Sequence, residues 1–272
     1  MIKPVVKRFL RNLGIIKMSD NLRYNYMKLK NYKSNSSFIK ENPDISIPPD
    51  YLLYEAHQIN YKRYYENGFS NANLLKEKFE KYIDLEGKKV LDWGCGPGRI
   101  IRHFPELLPK SEFYGTDYNV KSITWNKEHI KNVSFFHNEV SPPTVFDSDF
   151  FDVIYGLSIF THLSKKNHVL WIDELHRIAN KGAVLLLTTH GQAYREKLLG
   201  QDKKTFDRNE LVVEDKTMEG HRTFAAYQPP KLMRSMFERK FQILEHIPGE
   251  KMSWGISQDQ WILRKNYIPI ST

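Results

Sequence analysis

Between residues 92 and 98 one acid is followed by three alternating glycines, Asp92, Gly94, Gly96 and Gly98, within the stretch KKVLDWGCGPGR. Glycines at that spacing let the main chain turn sharply and approach a ligand closely, because no Cβ stands in the way. Val90 and Leu91 ahead of them read as a buried strand, and the residues from Arg99 to Phe104 read as the start of a helix. A strand, a glycine turn and a helix N-terminus together make a nucleotide-type cofactor site. The dinucleotide fingerprint wants G-x-G-x-x-G, and Arg99 stands where its third glycine should be. A carboxylate at the strand end would repel a pyrophosphate and suits a cationic or amine-bearing ligand. A nicotinamide dinucleotide is therefore disfavoured.

Other polar residues fall at the ends of later apolar runs. Asp117 comes about 20 residues beyond the glycines, where a carboxylate can accept hydrogen bonds from two ribose hydroxyls. Its plainer reading is a helix cap. His162 and His190 follow the fourth and fifth runs, on the side where open α/β sheets place their sites. A neutral imidazole there could take a proton from an acceptor; a turn or a cofactor contact is the other role open to His162. His221 is a weaker candidate. No Cys/His spacing suggests a metal, although a magnesium held by carboxylates from distant segments stays open. Cys95 is the only cysteine, which excludes an internal disulfide framework and points to a reducing compartment. Inside the glycine turn it reads as a small filler rather than a redox group.

The elements that must position these residues alternate strand and helix from Lys88 onward, the sign of a parallel α/β sheet. The expected strands are 88–93, 112–116, 133–137, 151–157, 183–189, 241–247 and 260–264. Helices are expected over 119–130, over 165–179 with Ser164 as N-cap, and over 230–239, with a long charged insertion at 191–229. Ahead of the sheet, Pro48-Pro49-Asp50 starts a helix with Asp50 as N-cap, and Tyr51, Tyr54, Tyr61 and Tyr65 fall on one stripe with Tyr64 beside it. Such a stripe suits packing, sugar stacking or a substrate lid. A second capping helix is expected near 70–83. Residues 2–16 carry Ile2, Val5, Val6, Phe9, Leu10, Leu13 and Ile16 on one helical face among lysines and arginines. That helix suits an anionic membrane surface or docking on its own domain or a second subunit. Residues 18–47, rich in Asn and Lys, read as linker. Met and Trp residues near 252–261 are expected to pack the core or line an acceptor cleft.

VLDWGCGPG resembles the first motif of class I S-adenosylmethionine-dependent methyltransferases. FDVIYGLSIFTHLS at 151–164, LHRIANKGAVLLL and the terminal QDQWILRK resemble a bacterial small-molecule or glycan-type subgroup, so the likeness covers about residues 85–266. The resemblance implies a Rossmann-like fold, with a seven-stranded, mostly parallel sheet whose last strand is inserted antiparallel. Helices would cover both faces, with an N-terminal helical extension over residues 1–47 and the methyltransferase domain over 48–272. It implies S-adenosyl-L-methionine as cofactor, with Asp92, Trp93, Gly94, Gly96 and Gly98 near its methionine part and Asp117 with Tyr118 at the ribose. Asn138 and Glu139 would meet the adenine, and Leu157 would line the cleft. Enzymes that methylate nucleobase or glutamine nitrogens carry N/D-P-P-Y/F at the fourth strand end; Gly156, Leu157 and Ser158 stand there instead, and SPPT at 141–144 precedes the strand. The acceptor implied is a sugar hydroxyl of a bacterial polysaccharide or glycoconjugate, possessing or lacking a lipid link. A lipid or quinone-type acceptor and a non-catalytic cofactor-binding scaffold are the alternatives.

The net charge of +9 sits at one end. Residues 1–40 hold ten Lys/Arg and one acid, Asp20, leaving 31 basic and 31 acidic residues in the rest. A neutral catalytic portion argues against a nucleic-acid substrate. No run of 18 apolar residues is present, and Lys7, Arg8 and Arg11 interrupt any signal-peptide core. The expected location is the cytoplasm, at the inner face of the membrane if the basic segment docks there.

Overall fold

The computed structural model describes residues 16–214 and 217–266. The helix expected over residues 2–16 therefore lies outside the described residues except at its last position. Seven strands form one sheet in the order β3-β2-β1-β4-β5-β11-β8. They are β1 (Lys89–Trp93), β2 (Glu112–Asp117), β3 (Ser134–His137), β4 (Phe151–Gly156), β5 (Ala179–Thr189), β8 (Phe241–Ile247) and β11 (Asp259–Lys265). Only β11 runs antiparallel, between β5 and β8. This is the Rossmann-like sheet that the resemblance implied. β4 stops one residue earlier than expected and β5 starts four residues earlier, because Ala179 pairs with Phe151 ahead of the regular register.

Alternation along each strand sorts the core into two layers. Val90, Val153 and Tyr155 pack on one face with Leu75, Phe79 and Phe104. Leu91, Trp93 and Ile154 pack on the other with Trp171, Leu175 and Phe237. The second face is covered by the helices Lys165–Ile178 and Pro230–Phe237. Ser164 caps the first of these, its hydroxyl accepting from Asn167 N.

Ahead of the sheet lie α1 (Ile16–Glu41), α2 (Asp50–Ala56) and α3 (Tyr61–Glu80). The linker expected over 18–47 is thus corrected to a 26-residue helix over most of its length. Its inward face mixes polar residues with Tyr24, Met27 and Phe38, which hid it from a search for apolar periodicity. Asn31 accepts from Asn60 Nδ2 at 3.1 Å, Asn35 accepts from Tyr61 N at 3.0 Å, and Asp20 accepts from the Tyr54 hydroxyl at 3.0 Å. The tyrosine stripe is also corrected. Asn60 caps a new helix by accepting from Arg63 N at 2.8 Å, so the stripe breaks at residues 57–60. Tyr54 and Tyr64 are buried while Tyr51 is exposed. Asp50 follows the capping residue Pro49 and accepts from the Tyr61 hydroxyl instead. The helix expected near 70–83 is the second half of α3. Gly68 lets α3 lie on the glycine turn, since a Cβ there would stand 2.1 Å from the Arg99 carbonyl oxygen.

The insertion at 191–229 has structure of its own. A helix, Gly200–Asp207, and a hairpin of β6 (Val212–Glu214) with β7 (Ala225–Tyr227) close over Tyr194, Leu198 and Phe206. A second small hairpin joins β9 (Lys251–Met252) to β10 (Gly255–Ile256). Trp261 is core, but Met252 and Trp254 are 47% and 72% exposed, so those two neither pack the core nor line the cleft as expected.

Candidate active site

The glycine turn joins β1 to the helical turn at 101–107. Gly94, Gly96 and Gly98 have φ of +79°, +51° and +70°, a region that side chains with a Cβ enter at a cost. The main-chain N–H groups of Gly94 and Cys95 both donate to the Thr116 carbonyl at 2.8 Å, which ties the turn to the end of β2. A Cβ on Gly94 would stand 2.0 Å from Ile159 Cδ1.

Two buried carboxylates flank the turn. Asp117 accepts from Gly96 N and from Asn119 N, each at 2.8 Å. Burial pushes it up to about 6, against those two main-chain donors. Asp92 lies opposite Tyr155 in the β1–β4 register and accepts from its hydroxyl at 2.9 Å. Burial pushes Asp92 up to about 7, opposed by that hydroxyl and by the Arg99 guanidinium. Two carboxyls this near neutrality in one cleft mark a functional site.

Three adjoining hollows of about 480, 580 and 430 Å³ run along the C-terminal edge of the sheet. Asp92, Gly94, Gly96 and Leu157 line the first with His57 and Arg99. Asp117, Tyr118, Leu157, Ser158 and His162 meet in the second. Trp93, Asp117, Asn138, Glu139 and His162 meet in the third. Of the expected site residues, Gly98 and His190 do not line these hollows. Gly98 faces Ile130 and Asn126, where it allows close packing. His190 packs against the insertion: its Nδ1 bonds the Ala226 carbonyl at 2.9 Å and its ring stacks on Tyr194 at 4.0 Å. The His162 Nδ1 lies 2.8 Å from the Phe224 carbonyl, which can only accept, so Nδ1 carries a hydrogen and the ring is held in one orientation.

Several cleft residues carry no signal in the sequence. Glu55 on α2 reaches across to accept from the Tyr118 hydroxyl at 2.7 Å and from Asn119 Nδ2 at 2.8 Å. Burial and this carboxylate push the Tyr118 phenol up. His57 has a buried Nε2 with no hydrogen-bond partner among the described residues, and burial pushes it down to about 4, leaving it neutral. The Asn138 Oδ1 is buried and unpartnered in the same sense. Residues 219–222 of the insertion cross the mouth. Glu219 accepts from Ser164 N and Asn167 Nδ2, Gly220 N donates to the His162 carbonyl at 3.0 Å, and Arg222 pairs with Asp20 of α1 at 2.8 Å. These contacts come from segments far apart in the chain, and only the glycine motif and the strand-end polar residues were positioned by local pattern. No group of three or more metal-ligating side chains is found among the described residues.

Comparison with known proteins agrees with this architecture. Residues 90–182 match the family described as a methyltransferase domain. The malonyl-[acyl-carrier protein] O-methyltransferase of Bacillus cereus is 24% identical over 178 residues, covering 64% of this chain and 64% of that protein. The match thus spans slightly less than two thirds of that relative's length. A tRNA N(3)-methylcytidine methyltransferase of Schizosaccharomyces pombe is 22% identical over 171 residues, covering 58% of this chain and 69% of that protein. Among solved structures, an S-adenosylmethionine-dependent methyltransferase from Methanosarcina mazei superposes with a TM-score of 0.53 at 19% identity, covering 70% of this chain and 97% of that one. At that identity the likeness is one of fold.

Proposed function

We propose that this chain, whose core is a class I S-adenosylmethionine-dependent methyltransferase domain, methylates a hydroxyl oxygen of a carbohydrate acceptor with His162 as the base. The cofactor supplies a methyl group already activated by its sulfonium, so the protein's task is alignment and removal of one proton. The residues of the cleft fit that cofactor. Asp92 offers a buried carboxylate to its ammonium and Arg99 a cation to its carboxylate. Asp117 is positioned for the ribose hydroxyls, and the unpartnered Asn138 Oδ1 offers an acceptor to the adenine amine.

The observation that carries the reading is the placement of His162. It lines the hollow that also holds Leu157 and Ser158, and its Nδ1, 2.8 Å from the Phe224 carbonyl, fixes the orientation of the ring there. As the C–O bond forms and the S–C bond breaks, the hydroxyl proton passes to the imidazole. A carboxylate acceptor would need no such base, being ionised already. Support for a sugar comes from hydrogen-bonding groups around that hollow, Glu55, Asn119, Ser158 and Arg222, and from the balanced charge of the chain beyond residue 40. A second reading, methylation of a carboxylate on an acyl chain, is favoured by Arg222 at the mouth and by the malonyl-carrier relative.

The test offers labelled S-adenosylmethionine with a bacterial glycan extract, a malonyl thioester and tRNA. The expected result is label in the glycan, lost by about 10²–10⁴-fold in His162→Gln, with S-adenosylhomocysteine affinity kept within about threefold. Label in the thioester, unaffected by His162→Gln, establishes the second reading. Cofactor binding without transfer to any acceptor favours a binding module over an enzyme.

A further inference from the structure

The helix α1 leaves more large apolar side chains in water than a helix that only packs on its own domain would. Its inward residues are Asp20, Tyr24, Met27, Asn31, Asn35 and Phe38, half of them polar. Its outward face carries Met18, Leu22, Tyr26, Leu29 and Tyr32, exposed by 60%, 65%, 60%, 78% and 67%. Successive members are three or four residues apart, so they form one stripe along the helix. Leu and Met side chains left in water on a contiguous stripe mark an interaction surface. Arg23, Lys30, Lys33 and Lys40 are exposed along the same helix. Of the two acids on this helix, Asp20 is turned inward onto Arg222 and Tyr54, and Glu41 is exposed at its C-terminal end.

We propose that α1 is a docking surface for an anionic lipid bilayer. The stripe Met18, Leu22, Tyr26, Leu29 and Tyr32 would enter the headgroup–acyl boundary, and Arg23, Lys30 and Lys33 would meet lipid phosphates. Charge selects this occupant over a second copy of the chain. Two such helices face to face would bring their cations together with only the terminal Glu41 of each to offset them, whereas an anionic surface complements them all at once. The two tyrosines suit an interface, with an apolar ring and a polar tip. The proposal stands apart from the identity of the acceptor: it concerns where the enzyme works, and it holds or fails whichever substrate is methylated. No helix among the described residues is long and apolar enough to cross a membrane, so the contact would be peripheral.

The experiment is co-sedimentation of the full chain with phosphatidylcholine vesicles containing or lacking about one third phosphatidylglycerol. Leu22→Ser/Leu29→Ser and Lys30→Gln/Lys33→Gln are compared with the parent protein. S-adenosylhomocysteine binding serves as the control for folding. The expected result is binding to the anionic vesicles alone, weakened at least about tenfold by the leucine pair, by about fivefold for each lysine removed, and by 0.5 M salt. Three results would overturn the proposal. One is no binding by the parent chain. Another is binding equal in all three proteins, which would place the contact on residues 2–15. The last is a concentration-dependent dimer that dissociates in Leu22→Ser/Leu29→Ser, which would give the stripe to a second copy.

Discussion

Asp92 and Asp117 sit in the cleft with their carboxyls raised to about 7 and about 6, and burial is the main cause for both. A ligand that brings an ammonium to one and hydroxyl donors to the other binds the ionised forms. Its affinity is therefore full above pH 7 and falls as pH drops through 7 and then 6. Calorimetric titration with S-adenosylhomocysteine should show binding at least about tenfold weaker at pH 5.5 than at pH 8. A flat profile would mean that neither carboxylate meets the ligand. The same burial has the opposite sign for the ligand-free fold. A carboxyl whose folded pKa is raised contributes stability at low pH that is lost as pH rises through the folded value. Asp92→Asn should therefore raise the melting temperature at pH 8 by about 2–4 °C or more, while weakening cofactor binding. Stability gained and binding lost in one substitution is the behaviour of a strained functional group. A structural carboxylate would lose stability instead.

At the scale of elements, the site depends on how closely α3 lies on the glycine turn. Gly68→Ala places a methyl against the Arg99 carbonyl, 2.1 Å from the carbonyl oxygen. Rigid main chain on both sides leaves little room to yield, so the helix must shift. A loss of about 1–3 kcal/mol is expected, read as a lower melting temperature with weaker cofactor binding; unchanged melting would show that α3 moves freely over the turn. Such packing explains what was legible in the sequence and what was not. The strands from β1 to β4 announced themselves through apolar runs ending in Asp92, Asp117, Asn138 and Leu157, and those ends meet in the cleft because parallel strands bring their C-termini to one edge. The helix α1 did not, because the amides of Asn31 and Asn35 interrupt the apolar residues of its inward face, Tyr24, Met27 and Phe38. The break between α2 and α3 depends on one cap, Asn60, within an otherwise helical stretch. His190 has the right position along the chain but the wrong surroundings, since Tyr194 and the Ala226 carbonyl draw its ring into the insertion. Glu55, His57 and Arg222 are ordinary residues in their own segments, and only the closed fold brings them to the cleft.

For the molecule as a whole, the crossing of residues 219–222 matters because it joins the insertion to α1 over the mouth of the cleft. The Arg222–Asp20 pair at 2.8 Å is only partly exposed, and the same guanidinium lies 4.0 Å from the Tyr54 ring centroid. Lids of this kind set ligand release rates more than they set chemistry. Asp20→Asn should speed S-adenosylhomocysteine dissociation by about fivefold in stopped-flow measurements, with the association rate unchanged. An unchanged rate would mean that ligand leaves by another face.

The antiparallel strand β11 also governs the order in which the sheet can be finished. β5 pairs with it along Val184 to Thr189, and β8 joins the sheet through β11 alone. On a translating ribosome the outer rim of β5 therefore waits about seventy residues for its neighbour. During that wait Leu185, Leu186 and Leu187 present a bare hydrogen-bonding rim, the kind of surface that recruits other nascent chains or a chaperone. Release just short of residue 259 would cost two strands rather than one. Synthesis of β11 is thus the step that lets both β5 and β8 complete their pairing.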